Sequence, residues 1–63
     1  MAAMIRVNQP CTVVIEGGRK LPGVVVGPRE RRVVGRRVEF VYPVRLKGAG
    51  YTQRFATAIV KAA

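Results

Sequence analysis

The sequence predicts an all-β domain, a small closed or nearly closed barrel of about five or six short antiparallel strands. Three observations predict it. Hydrophobic residues recur with the period of two that a half-buried strand requires, not the 3.6 of a helix. Glycine and proline turn signals arrive roughly every ten residues. β-branched runs such as Val24-Val25-Val26 are bracketed by breakers, so they cannot extend as helix.

Taken in order, Cys11, Val13 and Ile15 alternate with Thr12, Val14 and Glu16, which makes a half-buried strand. Gly17-Gly18 then turns the chain, because glycine reaches positive φ without steric cost. Arg19 and Lys20 sit at or just after that turn. Pro22-Gly23 punctuates the chain again, and Val24-Val25-Val26 forms a strand closed by Gly27-Pro28. Val33-Val34-Gly35 makes a short hairpin arm with arginines at its tip. The longest strand follows. Val38, Phe40, Tyr42, Val44 and Leu46 share its core face, and Glu39, Val41, Pro43, Arg45 and Lys47 share the other. Pro43 cannot donate to a ladder, so an edge segment or a bulge is expected there.

Gly48-Ala49-Gly50 is the clearest turn. Tyr51 to Phe55 reads as another strand, with Tyr51, Gln53 and Phe55 on one side and Arg54 on the opposite one. Ala56-Thr57-Ala58 closes a single helical turn before Ile59-Val60 ends the domain. Ile5 and Val7 either add a strand or pair with the last one. No repeat or linker interrupts residues 1–63, which read as a single domain.

Composition bounds the chemistry. At 63 residues a core is barely sufficient, and with no Trp it must come mainly from Val, Leu and Ile. A homo-oligomer that completes this core is therefore expected. Hydrophobic residues make up 49%, too many for a disordered basic tail. Cys11 stands alone and there is no His, so neither an intramolecular disulfide nor a Cys/His metal cluster is expected. A lone cysteine also fits a reducing cytoplasm. The segment Met1-Ala2-Ala3-Met4-Ile5 lacks the charged start and long apolar stretch of a signal peptide. No apolar run reaches the roughly 20 residues that span a bilayer, so membrane insertion is not expected.

The stretch from Cys11 to Gly27, Cys-Thr-Val-Val-Ile-Glu-Gly-Gly-Arg-Lys-Leu-Pro-Gly-Val-Val-Val-Gly, resembles the opening hairpin of SH3-like barrels. It is similar in particular to the KOW segment of ribosomal and transcription-elongation proteins. There a valine-rich strand enters a basic glycine turn and a second glycine precedes the next strand; Gly17 and Gly23 match those glycines. Pro28 to Val34 also resembles the basic loop and returning strand of that family. Leu21 follows Lys20 where the family has a glycine. The resemblance implies an SH3-like barrel and RNA or ribosome binding.

A second resemblance falls on Thr52-Gln53-Arg54-Phe55. It is similar to the Val-Gln-Ile-Tyr motif of type II dihydrofolate reductases, short SH3-like barrels that assemble as tetramers around a shared pore. Gln53 matches the glutamine and Phe55 the tyrosine, while Arg54 puts a charge where the family has isoleucine. Otherwise catalysis lacks its parts. No histidine supplies acid–base chemistry, and Glu16, Glu30 and Glu39 lie near basic residues and moderate charge locally. Cys11 sits in an apolar alternation, as a small core residue does. The expectation is a binding protein, not an enzyme, without a cofactor.

Charge carries the functional expectation. Lys and Arg number 12 against three carboxylates, a net charge of +9. Arg29, Arg31, Arg32, Arg36 and Arg37 fall within nine residues, opposed there by Glu30. Arginine-rich usage also fits a GC-rich coding sequence, and a bland reading of the cluster is a solvated loop that keeps the barrel soluble. The favoured reading is phosphate binding, because arginine forks donate two parallel hydrogen bonds to phosphate oxygens. Arg19, Lys20, Arg45, Lys47 and Arg54 extend the charge. Phe40 and Tyr42 align with the core face, which leaves Tyr51 as the base-stacking candidate.

The expected protein is thus a small basic nucleic-acid-binding module, DNA or RNA, with little sequence specificity. The alternative is an adaptor or inhibitor docking on an acidic protein surface. A stand-alone barrel of this size suits a phage or plasmid accessory protein.

Overall fold

A computed structural model describes residues 4–63; Met1 to Ala3, where the segment read against a signal peptide begins, lie outside the described residues. Six antiparallel strands form a curled half-barrel, as the period-two pattern predicts. They are β1 (Pro10–Val14), β2 (Lys20–Val25), β3 (Glu30–Val34), β4 (Arg37–Leu46), β5 (Gln53–Ala56) and β6 (Val60–Ala62). Helical geometry among the described residues is limited to two 3-10 turns, Glu16–Gly18 and Thr57–Ile59.

β4 is the spine of the sheet. β3 pairs along its first half, with Glu30 opposite Val41, and β2 pairs near its end, with Val25 opposite Val44. β5 lies on the other edge, placing Ala56 opposite Val41 and Gln53 opposite Val44. β1 pairs with β2, and β6 with β1, so the path is β3-β4-β2-β1-β6 with β5 beside β4. This arrangement is compatible with an SH3-like barrel.

Both internal prolines behave differently from the sequence expectation, for one shared reason. In an antiparallel strand a residue's N–H and C=O point to the same edge. The Pro22 carbonyl accepts from Lys47 N at 2.9 Å, so its ring nitrogen faces the edge where β4 has already ended. β2 therefore runs straight through Pro22-Gly23 rather than breaking there. The Pro43 carbonyl accepts from Val26 N at 2.9 Å, so its nitrogen faces the gap between β2 and β3. Pro43 is buried in a central strand, not on an edge segment, and its missing donor falls at the rung just past the end of β2, where Val26 still bonds its carbonyl.

The concave face holds the core. Cys11, Val13, Val25, Tyr42, Val44 and Val60 pack together with Ile5, and Leu21, Leu46, Phe55 and Ile59 close the margins. Gly23 faces inward, and a Cβ there would stand 2.9 Å from both Arg45 O and Val44 Cγ1. The sheet closes tightly at this point because Gly23 has no side chain. Gly17 and Gly18 turn the β1–β2 connection at φ of 79° and 77°.

Ile5 and Val7 form no strand. Ile5 plugs the core, its N–H donating to the Tyr42 hydroxyl at 3.2 Å, while Val7 and Asn8 make a turn. β6 takes the place beside β1 and extends to Ala62, beyond the Ile59-Val60 end expected from the sequence. β5 starts at Gln53, so Tyr51 lies in the preceding bend.

Candidate nucleic-acid interface

β3 and the first half of β4 form a two-stranded arm that continues past the body of the sheet. Its register is Arg31 opposite Phe40, Arg32 opposite Glu39, Val33 opposite Val38 and Val34 opposite Arg37. Gly35-Arg36 makes the tip, with Gly35 at φ 61°. Every residue from 31 to 38 is exposed. β5 first meets β4 at Val41 and β2 first meets it at Val44, so no third strand flanks the arm.

Pairing fixes which side chains share a face. Arg31, Val33, Val38 and Phe40 lie on one, the continuation of the core face. Arg29 joins them, its guanidinium 4.6 Å from the Phe40 ring centroid. Arg32, Val34, Arg37 and Glu39 lie on the other. There Arg32 Nη2 reaches Glu39 Oε2 at 3.0 Å and Arg37 Nη2 stands 3.9 Å from Glu39 Oε1.

Val38 and Phe40 are on the core side of β4, as expected, yet they are not core. They are 47% and 41% exposed, because the arm has outrun the strands that would cover them. Conversely Val41, expected on the outer side, is 1% exposed. Phe40 therefore joins the accessible aromatics from which the sequence reading had excluded it.

The remaining expected site residues divide into two groups. Arg45 and Arg54 project from the outer face of the sheet, where register also places Lys20 and Lys61. Arg54 Nε donates to Glu30 Oε1 at 2.8 Å, and this bond, with the nearby carboxylate charge, pushes the guanidinium further up from its ordinary value. Arg19, Lys47 and the exposed Tyr51 lie in the β1–β2 and β4–β5 connections, away from the arm, and Lys47 N reaches back to Pro22 O. β4 separates Arg37 from Leu46 by about 30 Å at ordinary strand rise. The expected basic residues thus divide among an arm, an outer face and a distal end.

Lys61 is not among the site residues expected from the sequence, because β6 runs two residues past the expected end at Val60. The alternation of core Val60 with Lys61 was the signal available. Gln53 and Phe55 sit half-buried on the inner side with Arg54 outward, and Phe55 packs against the core. Cys11 is buried, and desolvation pushes its thiol up from the ordinary value. Among the described residues no group of His, Cys, Asp or Glu is arranged to hold a metal ion, and no helix is long and apolar enough to cross a membrane.

No protein-family model, curated protein or solved structure significantly matches this chain. The case for function rests on its own residues.

Proposed function

We propose that this protein is an SH3-like barrel that binds nucleic acid through arginine–phosphate contacts with little sequence specificity. One observation carries the reading. All 12 Lys and Arg side chains are exposed, and Arg6, Arg19, Lys20, Arg29, Arg31, Arg36, Arg45, Lys47 and Lys61 have no carboxylate partner among the described residues. Unpaired exposed arginines at this density repel one another unless a polyanion neutralises them. A phosphate backbone supplies that charge and gains entropy by releasing its counterions.

The test is binding to labelled duplex and single-stranded nucleic acid across a salt series. If about five arginines neutralise phosphates, log K falls with log salt at a slope near −4 to −5 on duplex DNA. Replacing Arg31, Arg32, Arg36 and Arg37 with alanine flattens that slope and weakens binding to all sequences alike. No binding to DNA or RNA at low salt overturns the reading.

The exposed valines favour a second reading, an adaptor that docks on an acidic protein. Val33 is 63% exposed and lies beside Val38 on the arm face that holds Arg31. Apolar side chains ringed by charge are the composition of a protein-docking patch. Failure on nucleic acid, with capture of an acidic protein that the four arginine substitutions abolish, establishes it. Under either reading the protein is cytoplasmic, and the outer edge of β6 offers a place where two copies pair into a homo-oligomer.

A further inference from the structure

We propose that the β3–β4 arm enters the major groove of double-stranded B-form DNA, with the Arg31–Val33–Val38–Phe40 face toward the base edges. This rests on the nucleic-acid reading and names the form of nucleic acid bound.

Dimensions come first. The arm is two strands wide, its strands about 4.8 Å apart, and its four paired positions free of β5 extend it by about 13 Å. With side chains on both faces such a ribbon fills the major groove of B-DNA, about 12 Å wide, and is too broad for the minor groove at about 6 Å. The major groove of an A-form RNA duplex is deep and narrow, closed to side chains. A single strand has no groove at all. Its binders present platforms of several aromatics, whereas the arm carries one, Phe40, with the Arg29 guanidinium over one face of its ring.

Charge then orients the ribbon. The two faces differ in a way that bears on DNA. One carries Glu39, held between Arg32 and Arg37, and a carboxylate aimed at the groove floor would be repelled by the flanking phosphates. The other carries no carboxylate; it presents Arg31 with Val33 and Val38. Arg31 there can donate to phosphate oxygens or to whichever base-edge acceptor lies within reach, and the valine methyls lie against the groove floor, contacts that favour the B-form groove without fixing a sequence. This gives the exposed apolar pair a partner that water does not. Arg36 at the tip, with Arg32 and Arg37 on the outward face, reaches the phosphates that wall the groove.

The experiment uses the whole 63-residue protein. Fluorescence anisotropy is measured at one fixed salt concentration on a DNA duplex, an RNA duplex and a DNA single strand of the same length and sequence. The DNA duplex is expected to bind at least about tenfold more tightly than either other form, the scale of one good base contact. Methyl green, a major-groove ligand, displaces the protein, and netropsin, a minor-groove ligand, does not. The double substitution Arg31→Ala, Arg36→Ala removes the DNA preference, whereas Arg45→Ala with Lys47→Ala weakens all three forms alike. Circular dichroism checks that these exposed changes leave the sheet intact, and Val33→Ser, equally exposed, repeats the test without altering charge. Equal affinity for all three forms, or displacement by netropsin alone, overturns the groove assignment and leaves phosphate binding standing. Absence of binding to any of them overturns both.

Discussion

Glu30 and Arg54 join hands across the outer face of β4. Glu30 stands opposite Val41 on one edge of that strand and Arg54 opposite Pro43 on the other, and their side chains meet at 2.8 Å. The pair therefore crosses the strand over Val41 and Pro43, both buried although they belong to the outer side. It also ties the base of the arm to β5, so the arm's direction is set from both edges of the spine.

That bridge is exposed, so its worth in stability is small. Glu30→Gln is expected to lower unfolding free energy by less than about 1 kcal/mol in urea titration. A loss well above that would mean the pair acts chiefly as the cover of Val41 and Pro43.

Glu39 offers the opposite manipulation. It holds Arg32 at 3.0 Å and approaches Arg37, so Glu39→Gln releases both guanidinium groups and removes one repulsive charge. Affinity for duplex DNA is expected to rise, and the salt slope to steepen by about one unit. A salt titration of the two proteins side by side reads this directly; unchanged affinity would mean that the arm does not touch phosphate.

Gly23→Ala tests how closely β2 packs against β4. Its new Cβ would stand 2.9 Å from the Arg45 carbonyl oxygen and 3.3 Å from Leu46 Cα, and backbone cannot step aside as a side-chain tip can. A loss of about 1–3 kcal/mol is expected from such overpacking. Gly50→Ala, where nothing lies within 4 Å, is the neutral control in the same denaturation series.

Cys11 makes stability depend on alkaline pH. Burial raises its thiol above the ordinary value of 9.0, so the folded chain holds this proton more tightly than the unfolded chain does. Its contribution is complete below 9.0 and is lost as pH rises through the folded value. Subtracting the pH profile of Cys11→Ala from that of the native protein isolates the component, which should decline only above about 9. The native thiol should also resist aromatic disulfide reagents until the chain unfolds.

The parts of this molecule legible in sequence are those settled by near neighbours. Cys11 and Val13 alternate into the core because a strand side chain's face depends only on its position. Gly17-Gly18 turns because positive φ is cheapest for glycine, and Val33-Val34-Gly35 gives an arm with arginines about its tip. The basic cluster was visible as composition, and its exposure followed from its charge.

Register and strand length across the sheet decided everything else. Phe40 and Tyr42 are equivalent in the alternation, yet Tyr42 is core and Phe40 half-exposed, since β2 and β5 end before they reach Phe40. Pro22 and Pro43 read as breaks, but each sits one rung past an end of the β2–β4 ladder, where only its carbonyl is called on, by Lys47 N and by Val26 N. The pairing of Glu30 with Arg54, 24 residues apart, and the separation of Tyr51 from the arm depend on the path of β4 between them. Alternation and turn chemistry are local, so the sequence by itself determined the sheet, its turns and its positive charge. Which strand covers which side chain is set by contacts distant in sequence, and only the tertiary structure decided where that charge stands free.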